Sequence, residues 1–461
     1  MKNILVLVLT LFSTFAFSQD ITGPWNGSLN LPQGELPLII NISKSGSTYT
    51  ATMDSPLQGA KDIPVTIAYE NNNLHITLPS ANFDYKATYA NNVFNGTLNQ
   101  NGNTYKLDLK RGEAAKPKRP QEPAAPYPYY TEEVSFKNEK AGITLAGTLT
   151  LPTKEGVFPA VILITGSGGQ NRDEELFGHK PFLVLADYLT RNGVAVLRYD
   201  DRGVGQSGGE FETATTADFA TDAQAAFNYL QTRKEINQKK TGLAGHSEGG
   251  TVAAMVAAGN ANVAFIVLMA GANIPGDELM VLQNYMLGKA GGMPEQDLTM
   301  LGGINRKLYD VIKLETNPEK MKKGLETVFT TDLKPLFLSK GIPEAQFNQA
   351  MKIQLEGLLT PWYVSFIKSR PALYLEKIKC PVLALNGDKD LQVAAVANLD
   401  AVKRAAEKSG NKNVTVKQMK GLNHLFQEAG TGLPAEYETI EQTLSPLVLE
   451  EITGWIKTKT M

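Results

Sequence analysis

Residues Gly245-His246-Ser247-Glu248-Gly249 read G-x-S-x-G. Residues 241–244 before them are strand-like, and the Ala-rich run 250–258 after them suits a helix. A serine set between strand and helix, with glycine two residues to either side, is the pattern of a nucleophile elbow. Such a turn forces strained dihedrals on the serine, and the glycines let strand and helix approach without side-chain clash. Ser247 Oγ then stands exposed at the carboxyl edge of a sheet. The amide of Glu248, at the helix N terminus, points at a developing oxyanion.

A serine nucleophile needs a base, and the base needs an orienting group. The chain has only four histidines, His75, His179, His246 and His424. His246 precedes the serine in the elbow, so its side chain is expected to point away from the hydroxyl. His75 lies in a separate Asn- and Thr-rich region and is expected on a strand surface. His179 sits at the start of a helix near the mouth of the site. His424, in Lys420-Gly421-Leu422-Asn423-His424-Leu425-Phe426, follows the last strand in a loop and is the expected base. The loop after the preceding strand, residues 386–393, offers two carboxylates. Asp390, three residues after Gly387, is the expected orienter and Asp388 the reserve.

These loops need a sheet to hold them, and the chain from 131 onward supplies one. Residues 133–136 and 143–151 read as an opening antiparallel hairpin. Residues 160–164, 194–197 and 263–269 are apolar runs of the kind that form buried parallel strands, strands resume at 380–385, and 414–419 reads as the last strand. Helical stretches at 181–191 and 217–231 alternate with them, so helices should cover both faces. Between residues 273 and 372 the alternation stops. Met, Lys, Leu and Glu recur at helical spacing, punctuated by prolines, which reads as a helical insertion between two strands. Residues 435–457 are expected to be mostly helix.

The N-terminal part has a different texture. Lys2, an apolar run over 4–12 and small residues at 16 and 18 form a leader pattern, residues 1–18, with cleavage expected after Ser18. No cysteine near that point could carry a lipid anchor. Residues 20–110 alternate with period two between Asn- and Gly-containing turns, about eight short strands of a small barrel or sandwich. Trp25-Asn26-Gly27-Ser28-Leu29-Asn30 and Phe94-Asn95-Gly96-Thr97-Leu98-Asn99 repeat one pattern there. Residues 111–130 are a Pro-rich, charged linker, expected to be extended and solvated. The divisions are therefore a β domain at 20–110, a catalytic domain at 131–272 and 373–461, and a helical cap at 273–372.

The chain is 461 residues long, with a net charge of −2 and 20% charged residues. That balance gives no electrostatic case for nucleic acid or for an anionic membrane. The single cysteine, Cys380, excludes an intrachain disulfide and a cysteine-cluster zinc site.

The order Ser247, Asp390, His424, each in its own loop, resembles that of α/β-hydrolases. Residues 131–461 look like that fold, and like its bacterial carboxylesterase branch, the esterase-D and serine-aminopeptidase-like group. Ile164-Thr165-Gly166-Ser167-Gly168-Gly169-Gln170-Asn171-Arg172-Asp173 resembles the oxyanion loop of that branch, with Thr165 in place of its usual histidine. The resemblance puts the second oxyanion amide on Ser167, with Gly168 the alternative. Arg198-Tyr199-Asp200-Asp201-Arg202-Gly203-Val204-Gly205-Gln206-Ser207 resembles the loop after the next strand, and Asp201 with Arg202 is read as an ion pair bracing it.

The implied activity is hydrolysis of acyl esters through an acyl-enzyme, on a small-molecule or glycan-linked substrate, with no metal or organic cofactor. Trp362, Tyr363 and Phe366 either line a lid pocket or pack the lid itself. Peptidase, aminopeptidase or thioesterase chemistry on the same triad is an alternative. A binding protein with a silent hydrolase fold is another, as is a β domain that docks the esterase to a glycan or surface.

Overall fold

The computed structural model describes residues 20–31, 34–46, 48–55, 60–100, 102–112 and 118–460. The expected leader, residues 1–18, lies outside them. The chain divides into two compact units, residues 1–116 and 117–461.

The first unit is a closed antiparallel barrel of eight strands in sequence order. They are β1 (Gly23–Leu31), β2 (Gly34–Ser45), β3 (Thr48–Ser55), β4 (Ala60–Glu70), β5 (Asn73–Leu78), β6 (Phe83–Ala90), β7 (Val93–Gln100) and β8 (Asn103–Arg111). Closure removes the exposed edges that a sandwich would keep. Period-two alternation sends Trp25, Leu29, Tyr85, Phe94, Leu98 and Leu109 inward, where they fill the barrel. The repeated hexapeptide has a structural meaning. Trp25 and Phe94 occupy equivalent inward positions with ring centroids 4.4 Å apart. Gly96 leaves room for the Tyr85 ring, whose hydroxyl donates to the Leu107 carbonyl at 3.0 Å. His75 lies half-exposed on β5, 3.3 Å from Asp84.

The second unit is built on an eight-stranded mixed sheet. Its elements run β9 (Tyr130–Asn138), β10 (Ile143–Leu151), β11 (Phe158–Ile164), α1 (Pro181–Arg191), β12 (Ala195–Tyr199), α2 (Thr216–Gln231), β13 (Ile236–His246), α3 (Glu248–Gly259) and β14 (Ile266–Met269). Seven helices follow, α4 (Gly276–Ala290), α5 (Glu295–Leu314), α6 (Pro318–Val328), α7 (Lys334–Ser339), α8 (Glu344–Leu358), α9 (Pro361–Lys368) and α10 (Ala372–Leu375). The sheet then resumes with β15 (Val382–Gly387), α11 (Ala395–Ser409), β16 (Val414–Met419) and α12 (Pro446–Thr460). Strand order is β16-β15-β14-β13-β11-β12-β10-β9. Only the β9–β10 and β10–β12 pairings are antiparallel, so β10 alone runs against the other strands.

Both faces of the sheet are covered, which is why its central strands are apolar throughout. Ala160, Ile162 and Ile164 of β11 pack with α2, α3 and α11, while Val161 and Leu163 pack with α1 and α12. The chain leaves β11 for β12 on one side and reaches β13 on the other. Ligands of open α/β sheets bind at the carboxyl ends of strands where the order reverses in this way.

Two expectations need correction. Residues 119–121 of the expected linker are tied down, while residues 124–126 and 128 are exposed as a linker would be. Arg119 donates to the carbonyls of Phe177, Gly178, Glu438 and Ile440, and Gln121 bonds the backbone of Thr443 and Leu444. The C-terminal helix is also shorter than expected and begins at Pro446. The residues before it instead spend their carbonyls on Arg119, Gln121 and His179.

A methyl group built on Gly96 would stand 2.5–2.6 Å from the Tyr85 ring and hydroxyl. Gly96→Ala should therefore cost the barrel about 1–3 kcal/mol through overpacking. A lower urea midpoint for the loss of near-ultraviolet circular dichroism is the expected result, and an unchanged midpoint would contradict this packing.

Candidate active site

β13 ends at His246 and α3 begins at Glu248, so Ser247 alone makes the turn between them. Its backbone lies at φ 52°, ψ −118°, a conformation that L-residues avoid unless their surroundings impose it. Here they do. The Ser247 amide donates to the Met269 carbonyl of β14 at 2.8 Å, and its carbonyl accepts from Gly250 at 3.0 Å and Ala272 at 3.3 Å. A methyl on Gly245 would stand 2.0 Å from the Gly249 carbonyl oxygen, and one on Gly249 would stand 2.2 Å from that of Ile164. Both glycines are thus required by close backbone approach.

The loops after β15 and β16 bring the other two residues together. Asp390 is buried, and its Oδ2 lies 2.8 Å from His424 Nδ1. Its Oδ1 accepts the amides of Gln392 and Val393, each at 2.8 Å. Asp388 is exposed and accepts the Gly421 amide at 2.6 Å, so it braces the loop without touching the imidazole. The His424 loop is fixed from within. Buried Asn423 Oδ1 accepts the Leu425 and Gln427 amides, and its Nδ2 donates to Gln427 Oε1. Asn423 and Gln427 are functional supports that no motif marks; two amide side chains four apart, flanking the histidine, are the only sequence signal for them.

His424 lies beside the residue that precedes the serine. Its ring centroid is 4.8 Å from that of His246, and its carbonyl oxygen is 3.0 Å from His246 Nε2. Among the described residues, Ser247 Oγ makes no hydrogen bond; in catalytic sites this contact often tightens only with substrate bound.

The loop after β11 closes the site from the other side. A methyl on Gly166 would stand 3.3 Å from Ser247 Cβ. The Gly166 amide is taken by Glu174 Oε1 at 2.9 Å. Among the described residues, the amides of Ser167 and Gly168 have no hydrogen-bond partner, and Glu248 heads α3, where the first N–H groups lack intrahelical acceptors. These are the amides that an oxyanion would use.

Asp201 and Arg202 do not pair with each other, because these neighbouring side chains serve opposite sides of the loop. Arg202 binds Asp222 of α2 through two contacts of 2.7 and 3.0 Å. Asp201 accepts the Thr165 hydroxyl at 2.7 Å and the Gln170 amide at 3.0 Å, which fixes the loop after β11. Thr165 is therefore a brace for this loop. Burial pushes the Asp201 carboxyl up to about 7 against these two donors.

His179 is outside the cluster. It is buried beside Thr443 Oγ1 and the Tyr437 carbonyl, and burial depresses it to about 4, which keeps it neutral. Glu248 is also buried. Its carboxylate accepts from Thr216 Oγ1 at 2.6 Å and from the Trp362 indole of α9 at 2.9 Å. Trp362 also stacks on Phe366, with centroids 5.4 Å apart. The aromatic group thus packs internally and also ties the helical insertion to the elbow.

The family described as serine aminopeptidase, S33, matches residues 180–428. Esterase EstD of Thermotoga maritima is 26% identical over 334 residues, which span 71% of this chain and 69% of that protein. Solved structures with a similar fold include Est1E of Butyrivibrio proteoclasticus with ferulic acid bound (18% identity, TM-score 0.42, covering 70% of this chain and 96% of that one). Another is an esterase of Pyrococcus furiosus (15% identity, TM-score 0.45, covering 76% and 100%).

Burial raises the Glu248 carboxyl above the 4.5 of a free glutamate. A folded value above the unfolded one contributes stability below about pH 4.5 that is lost as pH rises through the folded value. Glu248→Gln keeps an acceptor for Thr216 and Trp362 and removes that dependence. Its melting temperature relative to the unsubstituted protein should therefore climb between pH 4.5 and 8, by on the order of 2–4 °C per kcal/mol. A difference that is flat with pH would show that the buried carboxylate carries no such penalty.

Proposed function

Because this chain belongs to the serine aminopeptidase S33 family of α/β-hydrolases, we propose that it is an exported serine carboxylesterase working through Ser247, His424 and Asp390. The observation that carries this reading is the Asp390–His424 contact of 2.8 Å set beside a serine held at φ 52°. Export rests on the leader pattern of residues 1–18.

In this mechanism His424 Nε2 takes the proton of Ser247 as Oγ attacks the acyl carbonyl. Asp390 fixes the tautomer through Nδ1–H and stabilises the imidazolium that forms. The amides of Glu248 and Ser167 receive the oxyanion, each worth about 2.7–4 kcal/mol in comparable sites. His424 then hands its proton to the leaving alcohol, and water repeats the cycle on the acyl-enzyme. The helical insertion acts as a lid, tethered to the elbow through Trp362 and Glu248.

An ester suits the site better than a free amino terminus. An aminopeptidase holds the substrate ammonium with a spare carboxylate. Glu174, Glu248 and Asp390, the carboxylates tied to this cluster, are each already engaged by protein donors. The relative named as an esterase agrees with this. The family's description as aminopeptidase supports the second reading, so both substrates belong in one experiment.

The test is hydrolysis of p-nitrophenyl acetate, butyrate and octanoate beside alanine p-nitroanilide. Ester turnover should exceed anilide turnover. It should fall by up to about 10⁶-fold in Ser247→Ala and about 10⁴-fold in Asp390→Asn, while Asp388→Asn stays near the unsubstituted rate. Equal ester turnover in Ser247→Ala would overturn the assignment. Anilide turnover above ester turnover would favour the peptidase.

A further inference from the structure

We infer that Glu174 and His246 form a second acid–imidazole pair, beneath the first, that holds the oxyanion loop and the base loop in register; the inference rests on reading Ser247, His424 and Asp390 as a triad. Both residues are buried, at 1% and 4% exposure. Glu174 Oε1 is shared between two partners, the Gly166 amide and His246 Nδ1, each at 2.9 Å. The other nitrogen of His246 reaches the His424 carbonyl oxygen at 3.0 Å. One continuous chain of contacts therefore runs from the loop that carries Ser167, through the residue before the nucleophile, to the backbone of the base.

The chemistry of that chain fixes a protonation state. Each nitrogen of His246 faces an acceptor, a carboxylate on one side and a carbonyl on the other. A neutral imidazole has one N–H and leaves one of these contacts without a proton. Only the imidazolium donates to both, and Glu174 supplies its countercharge. The groups facing the ring are Glu174, the His424 imidazole at 4.8 Å between centroids, Asp390 beyond it, and the Phe426 ring at 6.4 Å. Burial opposes the charge on His246, but Glu174 and the His424 carbonyl prevail, and its value is raised.

Two further observations separate this pair from ordinary packing. Glu174 adopts φ 52°, a left-handed backbone that a glutamate takes only when its surroundings impose it. A buried ion pair is also a poor means of stabilising a core, since apolar residues of similar volume do as well or better. What the pair supplies is alignment. Glu174 and His246 are positioning residues: they touch no reacting atom and act through Gly166 and His424.

The experiment uses the full chain and p-nitrophenyl butyrate, with Glu174→Gln, His246→Asn and the double variant. Each single change should lower kcat by about 10²–10³-fold, the loss typical of one misplaced oxyanion donor, with KM within about threefold. The double variant should be little worse than either single one, because all three break the same chain. In Glu174→Gln the alkaline limb of the pH–rate profile should move to lower pH, since the imidazolium has lost its countercharge. A drop in melting temperature with kcat and pH profile unchanged would reduce the pair to packing and overturn the inference. A second readout does not depend on the variants folding. Nitrogen NMR of ¹⁵N-histidine in the unsubstituted protein should show both His246 nitrogens protonated at pH 7, and a neutral ring would overturn the inference even if the esterase is active. An unsubstituted protein inert toward esters and amides would instead bring down the triad reading, which separates the two failures.

Discussion

The close approach of backbone at the end of β13 is the constraint on which the rest of the second unit depends. Gly249 lies so near the Ile164 carbonyl, and Gly245 so near Gly249, that no Cβ fits at either place. Strand, helix and neighbouring strand can then meet at one point, and Ser247 is the residue forced through the gap. Its left-handed backbone survives because three backbone hydrogen bonds hold it. Every other part of the site is placed relative to that point. The loop after β11 rests against Ser247 through Gly166, and the loop after β16 rests against His246.

Much of this was legible because it is written locally or by elimination. The elbow is a contiguous motif, and four histidines leave few choices of base. The order of strands along the chain also sets which loops share an edge. Sequence position alone favours Asp390, three residues after Gly387, over Asp388; in the fold Asp390 turns inward onto two amides and the imidazole, whereas Asp388 faces the Gly421 amide at the surface. In the barrel, period-two alternation marked the inward side chains. Whether eight such strands close or stack is decided by the pairing of β1 with β8, residues some eighty apart, and no local pattern encodes that.

What was not legible depends on partners distant in sequence. Asp201 and Arg202 sit side by side and invite pairing, yet Thr165 and Asp222 offer each a better-placed partner. Glu174 lies just past the segment that resembles an oxyanion loop, and only the folded chain shows it beneath His246. Trp362 reads as lid packing until Glu248 is found under its indole. In each case a polar group taken into the interior had to find a partner, and a fold can supply that partner from a segment that composition does not connect to it.

The stretch before β9 changes what counts as the boundary of the second unit. A single guanidinium, that of Arg119, satisfies four carbonyls drawn from two segments more than two hundred residues apart, and Gln121 adds three contacts to the second of them. The segment preceding the sheet thus works as a clasp between the residues ahead of α1 and those ahead of α12. A protease cut or an expression boundary placed at the first strand would produce a chain with every catalytic candidate present and its clasp undone. By its contacts the second unit begins where the clasp does, about a dozen residues before β9.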